Sequence, residues 1–162
     1  DENQVDLSII KVVNQANLTR FDDIAQKIIN LINKNSLKNI AFLGLAFKGG
    51  TDDVRFSPAI KILEKLTKLP IKINAFDPKA TNNAKKELNS KNITYHQTAQ
   101  KCCDNADLII IATEWQDFKN LNWTQIKKSQ KGNLIYDLRN ILDEKQITNL
   151  GFKYYFIGNK IS

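Results

Sequence analysis

Asn39-Ile-Ala-Phe-Leu-Gly-Leu-Ala-Phe-Lys-Gly-Gly-Thr-Asp-Asp-Val-Arg-Phe-Ser-Pro58 is the stretch on which the rest of the chain hangs. Residues 40–43 are a short unbroken apolar run stopped by Gly44, the pattern of a strand buried on both faces of a parallel sheet, and Ser57-Pro58 is a helix-start signal. Between them lies a loop carrying Lys48, Thr51, Asp52, Asp53 and Arg55. A strand-to-helix connection usually takes about two to six residues, so roughly a dozen with two cations and a Gly-Gly pair read as a binding loop rather than a link.

Toward the N-terminus, Val5, Ile9, Val12, Val13, Ala16, Phe21, Ile24, Ala25, Ile28, Leu31 and Ile32 recur by threes and fours. The spacing predicts one amphipathic helix of about seven turns and about 40 Å, long enough to reach beyond the globular part unless it packs wholly on its own domain. Its stripe is expected to lie against another domain or a second subunit. A polar break over residues 33–39 ends it, which divides the chain into a long helix, 1–35, and a sheet domain, 36–162.

Toward the C-terminus the pattern predicts a helix over 59–69 that stops before Pro70, then a strand over 71–76. Asp77-Pro78 follows as a helix-opening pair, with the Asp as cap and the Pro in the first turn. A polar helix through 85–88, a weak strand at 93–95 and a short helix near 98–104 lead to 108–112, the most strand-like segment of all. Trp115, Phe118, Leu121, Trp123 and Ile126 sit on short helical or irregular pieces. A fifth strand is predicted at 134–136, a helix from Asp143 through 150, and a sixth strand at 152–157. Alternating strands and helices mean parallel pairing with right-handed crossovers. The fold expected is α/β: a doubly wound, mainly parallel six-stranded Rossmann-like sheet in the order 3-2-1-4-5-6, preceded by one long α-helix.

Of 162 residues, 42% are apolar, enough for a core, and the net charge is +7. The lysines are scattered, with nothing denser than pairs such as Lys85-Lys86 and Lys127-Lys128, whereas a nucleic-acid footprint would be a clustered stripe; nucleic acid is not an expected partner. The adjacent Cys102 and Cys103 suit neither an ordinary disulfide nor a zinc site, and fit a reducing cytoplasm. No apolar run approaches a membrane span, and Asp1-Glu2 is unlike a signal peptide. The abrupt start, almost inside a helix, leads us to expect a fragment of a longer chain.

In such a sheet, ligands bind at the carboxyl ends of the strands, near the point between strands one and four where the order reverses. Lys48 follows strand one, Thr113-Glu114 follows strand four, and residues 137–140, with Arg139, follow strand five. A lysine and an arginine converging on one rim suit a phosphate or pyrophosphate, unless each simply pairs with a nearby carboxylate. The tight Gly-x-Gly-x-x-Gly turn of dinucleotide sites is missing, so a whole NAD is not expected here in the usual way. Asp52 and Asp53 read as caps or salt-bridge partners within the loop, with no third ligand for a metal. Asp77 stands where a ribose-binding acid follows strand two, although capping explains it as well. His96 reads as a surface residue at a strand end. Trp115 and Trp123 read as core anchors or, less readily, as base-stacking residues.

Taken together, Gly44-Leu45-Ala46-Phe47-Lys48, Thr51-Asp52-Asp53-Val54-Arg55, Ser57-Pro58, Phe76-Asp77-Pro78-Lys79-Ala80, Thr113-Glu114-Trp115, residues 137–140 and Ile157-Gly158 resemble, in order, the C-terminal UDP-binding domain of the UDP-glucose and GDP-mannose dehydrogenase family. The Thr-Glu-Trp and Asp-Pro-Lys-Ala pieces look more like the UDP-glucose branch than the GDP-mannose or UDP-N-acetylmannosamine branches. The opening helix resembles the central helix that joins the family's two domains and forms its dimer interface. The resemblance implies that Phe47, Lys48 and Arg139 contact a UDP-sugar and that Arg55 contacts NAD held mainly by another domain. It implies a family chemistry of two hydride transfers to NAD through a thioester on a cysteine. That cysteine and the NAD fingerprint match nothing in this chain, so no catalytic residue is expected in it and it is expected to be inactive alone. Three departures stand out: Leu138 for a usual Gly, Phe56 for a usual Glu and Gly50 for a usual Asn. The alternatives are another nucleotide-sugar dehydrogenase or a nucleotide-binding module that never catalyses.

Overall fold

The computed structural model describes the backbone of residues 8–158 and the side chains of residues 19–158. Its elements are α1 (Ser8–Lys34), β1 (Asn39–Leu43), α2 (Pro58–Leu66), β2 (Lys72–Phe76), α3 (Thr81–Glu87), β3 (Ile93–Tyr95), α4 (Ala99–Cys103), β4 (Leu108–Ile111), α5 (Gln116–Lys119), α6 (Trp123–Ser129), β5 (Leu134–Asp137), α7 (Glu144–Asn149) and β6 (Lys153–Phe156). The strands form one sheet in the order β3-β2-β1-β4-β5-β6, with every pairing parallel, as the alternating pattern predicts.

The centre of the sheet is its most apolar part because its strands are covered on both faces. Ile40 to Leu43 of β1 and all of β4, Leu-Ile-Ile-Ile, are fully buried, and each of the Leu, Ile and Phe side chains contributes roughly 1.5–3 kcal/mol over leaving it in water. Asp107 pins the amino ends of these two strands together, its Oδ2 accepting the Lys38 and Asn39 amides at 2.9 Å. β1 pairs with β2 on one side and β4 on the other, so the chain reverses direction across the sheet between β1 and β4 and leaves a crevice at their carboxyl ends.

The latter part of α1 belongs to this core. Ile24, Ala25, Ile28, Leu31 and Ile32 are buried, and the helix packs on α2. So much of the stripe is covered by the chain's own domain rather than by an outside surface. Residues 5–7, where the expected helix begins, lie outside the described residues. Two other elements are shorter than the pattern predicts: α2 gives way to a turn before Pro70, and β6 begins at Lys153. Asp77 and Pro78 precede α3 instead of opening it, because Ala80 occupies the cap position and makes no side-chain cap bond.

Candidate functional site

The carboxyl ends of β1, β4, β5 and β6, closed on one side by α1 and α2, surround a cleft of about 360 Å³, within the range of small-molecule sites. Phe47 and Lys48 enter it from the loop after β1, and Arg139 from the turn after β5. Lys48 and Arg139 therefore share one crevice. Arg20 and Phe21 of α1 complete the polar and aromatic lining, which contains no carboxylate. Sequence reading missed these two. Phe21 lay in the apolar stripe and Arg20 beside it, but only the docking of α1 on the domain turns them toward the rim. Three cations with aromatic and aliphatic walls suit an anion that carries an apolar, planar group.

The loop that presents Phe47 and Lys48 has no ladder to satisfy its backbone, so side chains do the work. Asp77 Oδ2 accepts the amides of Leu45 at 2.8 Å and Ala46 at 3.1 Å. Ser57 Oγ donates to the Leu45 carbonyl at 2.8 Å and accepts from the Ile60 amide at 3.4 Å, capping α2 in the same stroke. Thr113 Oγ1 donates to the Ala46 carbonyl at 3.2 Å. Gly44 allows the sharp exit from β1: its φ is +94°, and a Cβ there would lie 2.6 Å from Thr113 Cβ. The outer half of the loop is tied down by Lys79 Nζ donating to the Gly50 carbonyl at 3.3 Å and by Asn83 Nδ2 donating to the Asp52 carbonyl at 3.0 Å.

Glu114 links the two cationic loops. Its Oε1 accepts the Gly49 amide at 3.1 Å and its Oε2 pairs with Arg139 Nη2. Partial burial pushes its carboxyl upward, but the amides of Gly49 and of Glu114 itself, with the Arg139 charge, outweigh that and hold it below its ordinary value. The carboxylate pairing considered as the plain reading of Arg139 is therefore present, while Arg139 still lines the cleft. Lys48 has no carboxylate partner among the described residues. The turn bearing Arg139 is built by Asp137, wholly buried, which accepts the amides of Arg139 at 2.9 Å, Ile141 at 2.8 Å and Leu142 at 3.0 Å, and the Tyr154 hydroxyl at 2.8 Å. The left-handed residue here is Asn140, φ +53°, a type that tolerates it, so Leu138 needs no glycine-like conformation.

Arg55 lies outside the cleft lining and is bonded within the loop to Asp53, Nη2 to Oδ2 at 2.9 Å. Hydrogen bonds from Arg55 hold the Asp53 carboxyl down at about 2. Next to it, Phe56 is 87% exposed at a φ of +56°, uncommon for a bulky side chain. The residues present do not build a whole NAD site: Asp77 is only 2% exposed and bonded to the protein, and the long loop after β1 is not the tight Gly-x-Gly-x-x-Gly turn.

The remaining candidates are structural. Cys102 and Cys103 are buried with their thiols pushed up by burial, Cys102 donating to the Asn74 carbonyl at 3.2 Å. Trp115 and Trp123 are buried, their indole N–H groups donating to Asp77 Oδ2 and the Phe118 carbonyl. His96 is half-buried and bonded to Asn74 Oδ1 at 3.0 Å, a partner its sequence position did not reveal. Among the described residues no group of three His, Cys, Asp or Glu could hold a metal ion, and no helix is long and apolar enough to cross a membrane.

Residues 41–144 match the model of the UDP-glucose/GDP-mannose dehydrogenase family, UDP binding domain. The chain is 45% identical over 159 residues to the UDP-glucose 6-dehydrogenase of Rickettsia typhi, covering 98% of this chain and 37% of that protein. With the UDP-glucose 6-dehydrogenase of Rickettsia conorii it shares 44% over 162 residues, covering 99% and 38%. Among solved structures, a UDP-D-ManNAc dehydrogenase from Pyrococcus horikoshii superposes with a TM-score of 0.72 at 30% identity, covering 97% of this chain and 35% of the other. The chain thus spans little more than a third of the length of these relatives.

Proposed function

This chain belongs to the UDP-glucose/GDP-mannose dehydrogenase family, and from that premise we propose that it is the C-terminal, UDP-sugar-binding part of a UDP-glucose 6-dehydrogenase. One observation carries the reading: Phe47, Lys48 and Arg139 line one cleft at the crossover of the sheet. Lys48 supplies a mobile charge and Arg139 a planar fork for the diphosphate, while Phe47, 49% exposed, offers its ring to the base or sugar. Glu114 holds Arg139 until a phosphate competes for it.

When bound, NAD would take up hydride from the sugar alcohol. The residues of this chain do not form a whole site for it. Arg55, at the outer edge of the same loop, is the side chain we assign to contact NAD held by the remainder of a full-length enzyme. This chain's own part is to grip and orient the nucleotide sugar, and by itself it does not oxidise UDP-glucose. We further assign residues 1–35 to a helix that pairs two copies, 36–162 to the nucleotide domain, and the protein to the cytoplasm.

Calorimetric titration of this chain with UDP, GDP and NAD tests the assignment. UDP is expected to bind most tightly, and Lys48→Ala or Arg139→Ala to weaken it about ten- to a hundredfold, the loss of one charge-assisted hydrogen bond of roughly 1.5–3 kcal/mol. A preference for GDP would remove the UDP-glucose assignment, and affinity unmoved by either substitution would remove the cleft.

A further inference from the structure

Asp77 directly follows β2, at the position where sheets that bind dinucleotides carry the acid that takes a ribose hydroxyl. Here that carboxyl group is 2% exposed and turned wholly inward. Oδ1 accepts the amides of Lys79 at 2.9 Å and Ala80 at 2.8 Å, an ordinary turn closing over its own strand end. Oδ2 reaches two other crossovers, accepting Leu45 N–H at 2.8 Å and Ala46 N–H at 3.1 Å after β1, and Trp115 Nε1–H at 3.0 Å after β4. A carboxylate has about four lone-pair positions, and these five contacts leave none of them open.

We propose that Asp77 is a positioning residue for the nucleotide: its Oδ2 fixes the Leu45-Ala46 segment so that Phe47 and Lys48 point into the cleft, and it is thereby withdrawn from any ribose. The turn after β2 accounts for Oδ1 alone. The bonds of Oδ2 serve no helix and stabilise backbone immediately before the two ligand-facing side chains. Trp115 holds the same oxygen from the far side, so the carboxyl group cannot swing while the indole stays buried. Leu45 and Ala46 are themselves buried, which leaves their amides no water to turn to if Oδ2 is lost.

The inference rests on the UDP-binding reading, and its test is arranged so that the two fail separately. On the ligand-free chain, hydrogen exchange at the Leu45 and Ala46 amides is expected to be as slow as at neighbouring β1 amides. Exchange at the rate of exposed loop amides overturns the proposal whether or not UDP binds. Asp77→Asn, which places a donor among donors, is expected to free those two amides while the β4 and β5 amides stay protected, and to weaken UDP at least tenfold; affinity within twofold of the parent overturns it. A double-mutant cycle separates positioning from general loosening. Lys48→Ala costs at least tenfold in the parent and less than threefold in the Asp77→Asn background, and equal costs in both overturn the proposal. Absence of UDP binding by the parent chain counts against the functional reading alone.

Discussion

At the scale of single residues, Glu114 decides how the two cationic loops respond to acid. Its folded value lies below the ordinary 4.5, so its contribution to order is in force above that range and is lost as pH falls through the lowered value. Protonation removes the partner of Arg139 and weakens the acceptor of the Gly49 amide. The Gly49 amide resonance is therefore expected to shift with an inflection below pH 4.5, and Glu114→Gln to flatten that inflection; a resonance that moves identically with acid in the parent and in Glu114→Gln would show that Glu114 does not link the loops. Lys48 and Arg139 were legible in the sequence because each lies in the loop after a predicted strand, and topology then brings them together. Arg20 was not, because its role depends on how a helix docks, which helical spacing does not encode.

Among the elements, the connection from β1 to α2 is held at its start and end by named partners, the amides of Gly44 to Phe47 and of Ser57 all being bonded. It leaves β1 through Gly44, where an added methyl would meet both side chain and backbone of Thr113 within 2.7 Å and would have to adopt a φ of +94°. Gly44→Ala is expected to cost about 3 kcal/mol, a fall of roughly 6–12 °C in melting temperature by calorimetry. Gly50→Ala, with nothing within 4 Å of the new Cβ, carries only the backbone strain and is expected to cost about 1 kcal/mol. Equal losses at the two positions would mean that the Thr113 contact is not what Gly44 avoids. The existence of the loop, its flanking strand and its capped helix were readable locally, from Gly44, the Gly-Gly pair and Ser57-Pro58. What holds the loop was not, since Asp77, Thr113 and Glu114 come from crossovers far along the chain and carry no local signal of their partner. The ends of elements shifted for the opposite reason: at Asp77-Pro78 the local signal was right about a turn, yet the carboxyl group had a stronger claim elsewhere.

For the whole molecule, strand number and parallel direction followed from alternation, and the order agrees with the commonest doubly wound arrangement, which alternation by itself does not select. The long helix was legible as a helix but not in what covers it: its stripe from Ile24 onward is taken by its own domain. The proposed pairing of two copies accordingly falls to the earlier part of α1. Light scattering on the chain at micromolar concentration is expected to return twice the monomer mass, and a monomer would send the helix to a different partner.

The order β3-β2-β1-β4-β5-β6 bears also on how the chain is made. β1, at residues 39–43, finds β2 soon after synthesis, but its other edge belongs to β4, at residues 108–111. At roughly 5–20 residues per second, several seconds pass on the ribosome during which the oiliest edge of the nascent sheet has no neighbour. That interval is the protein's window of vulnerability to aggregation, and it closes only when the chain's second half arrives.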